Sequence, residues 1–190
     1  MRPKHLIFVP LLALAFAGNT SAPRNYSLDP GASELSAKVS FFGLSSKTMT
    51  IPKMRGKAVI VPDAPERAAI DVTFDTTSLT APDETTLKRL RGDKFFWVEK
   101  YPTVRFVGKS LTLSSPTRGT VSGNLTARGV TKPQTLDVRF DSDPNKAGAR
   151  EAVSFTATTT IDRRKYGMKS YQLVVGNNVK IKFRARMTPN

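Results

Sequence analysis

Apolar and polar residues alternate along most of the chain. Between Glu34 and Phe41, one side carries Leu35, Ala37, Val39 and Phe41, and the other carries Glu34, Ser36, Lys38 and Ser40. A period of two sends successive side chains to opposite faces of a pleated strand, so this segment predicts a half-buried β-strand. The pattern recurs at Ala68, Ile70, Val72 and Phe74, at Val104 and Phe106, at Leu111 and Leu113, and at Val121, Gly123, Leu125 and Ala127. It returns at Leu136, Val138 and Phe140, at Val153, Phe155, Ala157, Thr159 and Ile161, and at Val179, Ile181, Phe183 and Ala185. With Lys57 to Val61 and a weaker segment near Met49 and Ile51, the pattern predicts about nine or ten strands.

Glycine- or proline-containing breaks separate most of these segments, as at Thr117-Arg118-Gly119 and Gly176-Asn177-Asn178. Short breaks favour consecutive antiparallel pairing over parallel crossover units, which leaves an up-and-down barrel or a sandwich. Thr80 to Arg91 departs from the period and reads as a short helix, capped by Thr80 and stopped by Gly92. Phe95-Phe96-Trp97-Val98 follows at once. Consecutive apolar residues cannot share one strand face, so this run is expected to enter the interior from a loop or short helix.

The first residues differ in kind. Arg2 and Lys4 precede an apolar run from Leu6 to Ala17, and small polar residues follow. That is the plan of a signal peptide over residues 1–22, cleaved after Ala17 or Ala22, with a single domain over 23–190. The run is shorter than the roughly 20 residues of a spanning helix, so export to the periplasm without a retained anchor is expected. There is no cysteine, and the single histidine, His5, lies in the leader. The mature chain therefore lacks the side chains of a Ser-His-Asp triad, a thiol nucleophile or the usual zinc sites. Most carboxylates occupy outward strand positions or turns, leaving Asp162 as the one candidate for acid-base work. No glycine motif for cradling phosphate occurs. A protein that is not an enzyme, with no metal and no cofactor, is the expectation.

Charge narrows the partners. The net charge is +15, or +13 once Arg2 and Lys4 are removed. For an exported protein, an anionic membrane surface or phosphorylated lipid suits that field better than nucleic acid, and simple solubility is the plain alternative. The inward set is rich in phenylalanine, so an internal ligand would be mostly hydrocarbon; alternation alone does not separate a cavity from a packed core.

Three stretches carry a family resemblance. They are Leu90 to Thr103, containing Phe95-Phe96-Trp97-Val98-Glu99-Lys100-Tyr101-Pro102-Thr103; Gly123 to Pro133, containing Gly123-Asn124-Leu125-Thr126-Ala127-Arg128-Gly129-Val130-Thr131-Lys132-Pro133; and Ile161 to Met168, followed by Val175 to Val179. In order and spacing, from about Tyr26 to Arg186, the chain resembles the YceI-like family of exported polyisoprenoid-binding proteins. The resemblance implies an all-β, antiparallel lipocalin-like barrel of about eight to ten strands with a helix beside it. It also implies an enclosed isoprenoid, quinone tail or similar amphiphile. On that implication Val39, Phe41, Val72, Phe74, Leu90, Phe95, Phe96, Phe106, Leu125, Phe155 and Phe183 contact the ligand chain, with Tyr166 and Met168 near one end.

Arg163, Arg164 and Lys165, with Arg128 and Lys132, are candidates for a phosphate head group, or form a solvated turn. The outward row Lys180, Lys182, Arg184 and Arg186 could meet a membrane face or guard a sheet edge. Where the family usually has Arg-Asp-x-His-Leu, this chain has Thr86-Leu87-Lys88-Arg89-Leu90, and Met49 to Gly56 lacks the family's glycine and phenylalanine. The expected function is periplasmic binding or carriage of a long-chain amphiphile. The competing expectation is an interaction module with a packed barrel and a basic binding surface; a second copy of the chain is admitted as a partner in either case.

Overall fold

Residues 22–190, apart from positions 63 and 149, are described by a computed structural model. The expected leader, up to residue 21, lies outside the described residues. Ten strands occur among those described: β1 (Arg24–Leu28), β2 (Glu34–Phe41), β3 (Ser45–Ile51), β4 (Met54–Ile60), β5 (Ala69–Asp75), β6 (Thr103–Ser115), β7 (Arg118–Ala127), β8 (Val130–Phe140), β9 (Val153–Asp162) and β10 (Val175–Pro189). One helix, α1 (Glu84–Arg91), lies between β5 and β6.

All pairings between these strands are antiparallel, and β1 bonds to both β4 and β10, closing an eight-stranded ring. Strands β2 and β3 form a hairpin that hangs from β10. Along one edge of β10, β1 pairs with Met187 to Pro189 and β2 with Val175 to Arg184. The two therefore act as one stave, broken by a 3-10 turn at Pro30–Ala32. The ring closes in strand order, and its loosest seam is β8–β9, which pair only over Asp137–Phe140 and Phe155–Thr158 and leave Val130–Leu136 of β8 unpaired on that side.

Register follows the alternation. Phe183 lies opposite Ala157 and Ala185 opposite Phe155, so the inward faces of β9 and β10 interlock large against small. Phe155 in turn meets Phe183 edge-on at 6.1 Å, and Phe74 meets Phe183 edge-on at 5.2 Å. Two sequence segments, around Val104 and around Leu111, prove to be one strand, β6. Its register against β7 shifts between Gly108 and Ser110, which moves the inward set from Phe106 and Gly108 to Leu111. An extra residue at a bulge flips the face, so the parity break reads as two strands in the sequence. Gly108 and Gly123 face each other there, and a Cβ at Gly123 would stand 2.3 Å from the Val107 carbonyl oxygen.

The helix begins later than its sequence signal. Thr80 is extended and bridges Thr50, with backbone bonds of 3.2 and 3.0 Å and their hydroxyls 2.7 Å apart. The N-cap is Asp83, whose carboxylate accepts from the Thr86 amide at 2.8 Å. Pairing with β3 holds Thr80 out of the helix, and Asp is as good a cap as Thr. Gly92 ends the helix as expected, its amide donating to the Lys88 and Arg89 carbonyls. Phe95 and Phe96 are buried, and the chain turns at Trp97, which adopts φ 49°. Strand β1 was not visible as an alternating run, since only Tyr26 and Leu28 of its residues are buried.

Candidate ligand chamber

One end of the barrel is built from the β2–β3 hairpin, α1, the Phe95-Phe96 turn and the loop leading from Tyr166 to β10. Between these elements an outer chamber of about 340 Å³ opens to the surface. Below it lies an inner chamber of about 110 Å³, lined from the middle of the barrel to its far end, where Tyr26, Pro144, Asn145 and Met187 border it. Leu35, Phe74, Leu125 and Ile181 line both and form the partition between them. The walls are almost wholly hydrocarbon, so water inside has few partners, and an apolar chain entering would be driven by burial.

The residues nominated from the sequence distribute as follows. Val39, Phe41, Leu90, Phe95, Phe96 and Met168 line the outer chamber. Val72, Phe106, Phe155 and Phe183 line the inner one, and Phe74 and Leu125 belong to both. Tyr166 is buried in the core and lines neither; burial raises its phenol above the ordinary range. The sequence expectation did not include Met49 and Ile51 of β3, Ile161 of β9, Tyr171 and Val174 of the last loop, or Val175 at the start of β10, all on the outer wall. Ile161 sits on an alternating run that had been recognised; the loop residues carry no periodic signal.

Polar groups at the mouth have distinct occupations. Arg163 is 2% exposed, and its guanidinium donates to the carbonyls of Gly176 (2.9 Å), Met168 (2.5 Å), Ser170 (2.8 Å) and Val175 (2.8 Å). It reaches the chamber wall, but it is chiefly a clamp that folds the 168–176 segment over the barrel end; burial lowers its pKa. Arg164 is engaged by Asp162, which also caps the 3-10 turn at Arg163–Tyr166 and accepts from the Arg164 amide at 3.0 Å. The Arg164 hydrogen bond holds the Asp162 carboxyl at about 2, well below the usual carboxylate range. A carboxylate so fixed is a poor proton acceptor near neutrality. Arg128 donates to the Gly167 carbonyl at 2.9 Å, and Lys165 is exposed; neither lines a chamber.

Two other cations do line it. Lys47 is paired with Asp83 at 2.7 Å, a contact that lowers the Asp83 pKa to about 2. Arg89 has no hydrogen-bonded or ionic partner among the described residues. Its guanidinium lies 5.6 Å from the Tyr171 ring centre, and that ring stacks on Phe95 at 5.9 Å with a 2° interplanar angle. The mouth thus places one uncommitted cation and a pair of stacked rings above an apolar hole.

A closed antiparallel barrel around a hydrocarbon lumen defines a lipocalin-like protein. The YceI-like domain model matches residues 26–187, and the chain belongs to the YceI-like family. It is similar to a UPF0312 protein of Pseudomonas putida, 31% identical over 132 residues, covering 70% of this chain and 69% of that one. A UPF0312 protein of Ectopseudomonas mendocina is 24% identical over 86% of each chain. Among solved structures, BcnA of Burkholderia cenocepacia superposes with a TM-score of 0.74 at 20% identity, covering 84% of this chain and 98% of its own. A polyisoprenoid binding domain from Saccharophagus degradans gives 0.65 at 17% identity, covering 87% and 98%. These structural likenesses concern the fold.

Proposed function

We propose that this protein binds and carries a long-chain amphiphile in the periplasm, with the apolar tail in the outer chamber and the head group at the mouth beside Arg89. The observation that carries this reading is the open chamber of about 340 Å³ with hydrocarbon walls, a size within the usual range of small-molecule sites. The polyisoprenoid-binding relative of the same fold supports a tail of isoprenoid or quinone type. Export is supported by the leader-like order of residues 1–22. Binding here needs no covalent step. The alternative, a solid barrel acting only through its basic surface, leaves the chamber without a purpose.

Organic extraction of the purified protein, followed by mass spectrometry, should recover a hydrocarbon-tailed lipid. The protein should also take up a fluorescent long-chain probe with little dependence on salt, since burial rather than charge drives the tail. Recovery of no lipid, together with no probe uptake, would sink the proposal.

A further inference from the structure

Exposed large apolar side chains are ordinary when scattered, but here they are concentrated. Phe42 is 62% exposed, Leu44 96%, Tyr171 46% and Leu173 99%, and all four sit on two loops at the chamber mouth. The Phe42 amide donates to the Val174 carbonyl at 2.7 Å, so the β2–β3 turn and the 167–174 loop form one platform. Phe42 (φ 53°) and Tyr171 (φ 57°) both occupy the left-handed region, an unfavourable conformation for bulky residues that persists only where the surroundings enforce it. The platform is continuous with the lumen, because Phe41, Tyr171 and Val174 line the outer chamber.

Cations flank the platform. Lys88 and Arg89 on α1, Lys169 in the loop and Lys165 before it are all exposed. Lys38 and Lys180 lie directly opposite one another on the outer faces of β2 and β10. Like charges in such a cross-strand position are unfavourable unless an anion is shared. Nearby, Asp83 and Asp162 are taken up by Lys47 and Arg164, which leaves Glu84 against Lys88, Arg89 and Arg91 on the helix.

We infer that this platform docks the protein, mouth first, on an anionic lipid bilayer. Phe42, Leu44 and Leu173 enter the interface, and the surrounding lysines and arginines meet the head groups. An apolar tip within a basic surround matches the two layers of such a membrane, the arrangement that drives interfacial binding. A second copy of this chain would bring the same positive charge against itself, on a protein whose net charge is +15. Docking in this pose would let a tail pass from bilayer to chamber without crossing water. Only that last consequence rests on the carrier reading; docking itself does not.

The test combines the purified protein with vesicles of phosphatidylcholine, alone or with phosphatidylglycerol, and measures cosedimentation. The unaltered protein should bind the phosphatidylglycerol vesicles, less strongly at high salt, and bind neutral ones weakly. A triple variant, Phe42→Ser, Leu44→Ser and Leu173→Ser, should lose roughly a hundredfold or more in vesicle affinity. It should keep uptake of a fluorescent long-chain probe offered from solution, because none of the three residues lines a chamber. Leu173→Glu alone should shift binding in the same direction at a position too exposed to affect folding. Vesicle binding lost by the variant while no protein takes up probe would retain docking and remove the carrier reading. Equal vesicle binding by variant and parent overturns the inference, as does a parent that pairs with itself through these residues and ignores vesicles.

Discussion

Phe74 stands between the two chambers, and its removal should change which tails the barrel accepts. The ring is 5% exposed, lines both chambers and packs edge-on against Phe183 at 5.2 Å. Phe74→Ala would join volumes of about 340 and 110 Å³ and add the space vacated by the ring itself. In a close-packed core such a truncation costs about 3–5 kcal/mol. Here the ring already borders empty space on two sides, so fewer contacts are lost and about 3 kcal/mol is expected. For a domain of this size that lowers the melting temperature by roughly 6–12 °C, leaving a folded protein to assay. Affinity should then be measured by displacement of a fluorescent probe with a homologous series of straight-chain acids. Each added methylene buried contributes about 0.8 kcal/mol, close to a fourfold gain, until the tail reaches the partition. The parent should plateau at that length, whereas the variant should continue to gain over several further methylenes. Identical plateaus in two folded proteins would refute the partition.

Arg163→Met should destabilise the protein by about 3 kcal/mol or more, since it leaves several carbonyls of the 168–176 segment without donors; hydrogen exchange should rise first in that segment. The acid limb of stability should fall between about pH 4 and pH 2. Asp83 and Asp162 have folded pKa values lowered to about 2, so their contribution is present above the unfolded value near 4 and lost as pH falls through the folded one. Thermal melts of Asp83→Asn combined with Asp162→Asn should show a shallower acid limb. Gly123→Ala should cost about 1–3 kcal/mol in chemical denaturation, because the added methyl meets the Val107 carbonyl and the Gly108 backbone.

The staves of the barrel were legible because period-two alternation is a direct consequence of pleating, as in β2, β7, β9 and β10. What escaped were places where a different constraint overrides it. The bulge at Gly108 split β6 in two, and β1 is too short and polar to announce itself. The bridge from Thr80 to Thr50 delayed α1, since pairing over sequence distance carries no local signature. Inward residues were identified well, yet alternation alone does not say whether they touch or surround space; the chambers arise from their three-dimensional spacing. The cation cluster was harder to read. Arg163, Arg164 and Lys165 are consecutive, but one is buried among carbonyls, one is held by Asp162 and one faces solvent. Consecutive residues in a 3-10 turn point in different directions, so a basic run in the sequence is not a basic site.

Arg89 is where head-group selection should be found. It occupies the position at which the family resemblance would place a histidine, and it is a chamber-lining cation without a partner among the described residues. A guanidinium offers a planar fork of donors that matches a carboxylate or phosphate, so head groups of that kind should be favoured at this mouth. Arg89→Gln keeps much of the length and polarity while removing the charge. It should weaken binding of a carboxylate-headed probe by about 1.5–3 kcal/mol, at least roughly tenfold, the range for a hydrogen bond to a charged group. The matching alcohol-headed probe should bind both proteins alike, which controls for any disturbance of the Arg89 contact with Tyr171. Salt should weaken the acid on the parent protein and have little effect on the variant. Equal losses for acid and alcohol would show that Arg89 merely props the aromatic pair, and would move head-group recognition elsewhere on the mouth.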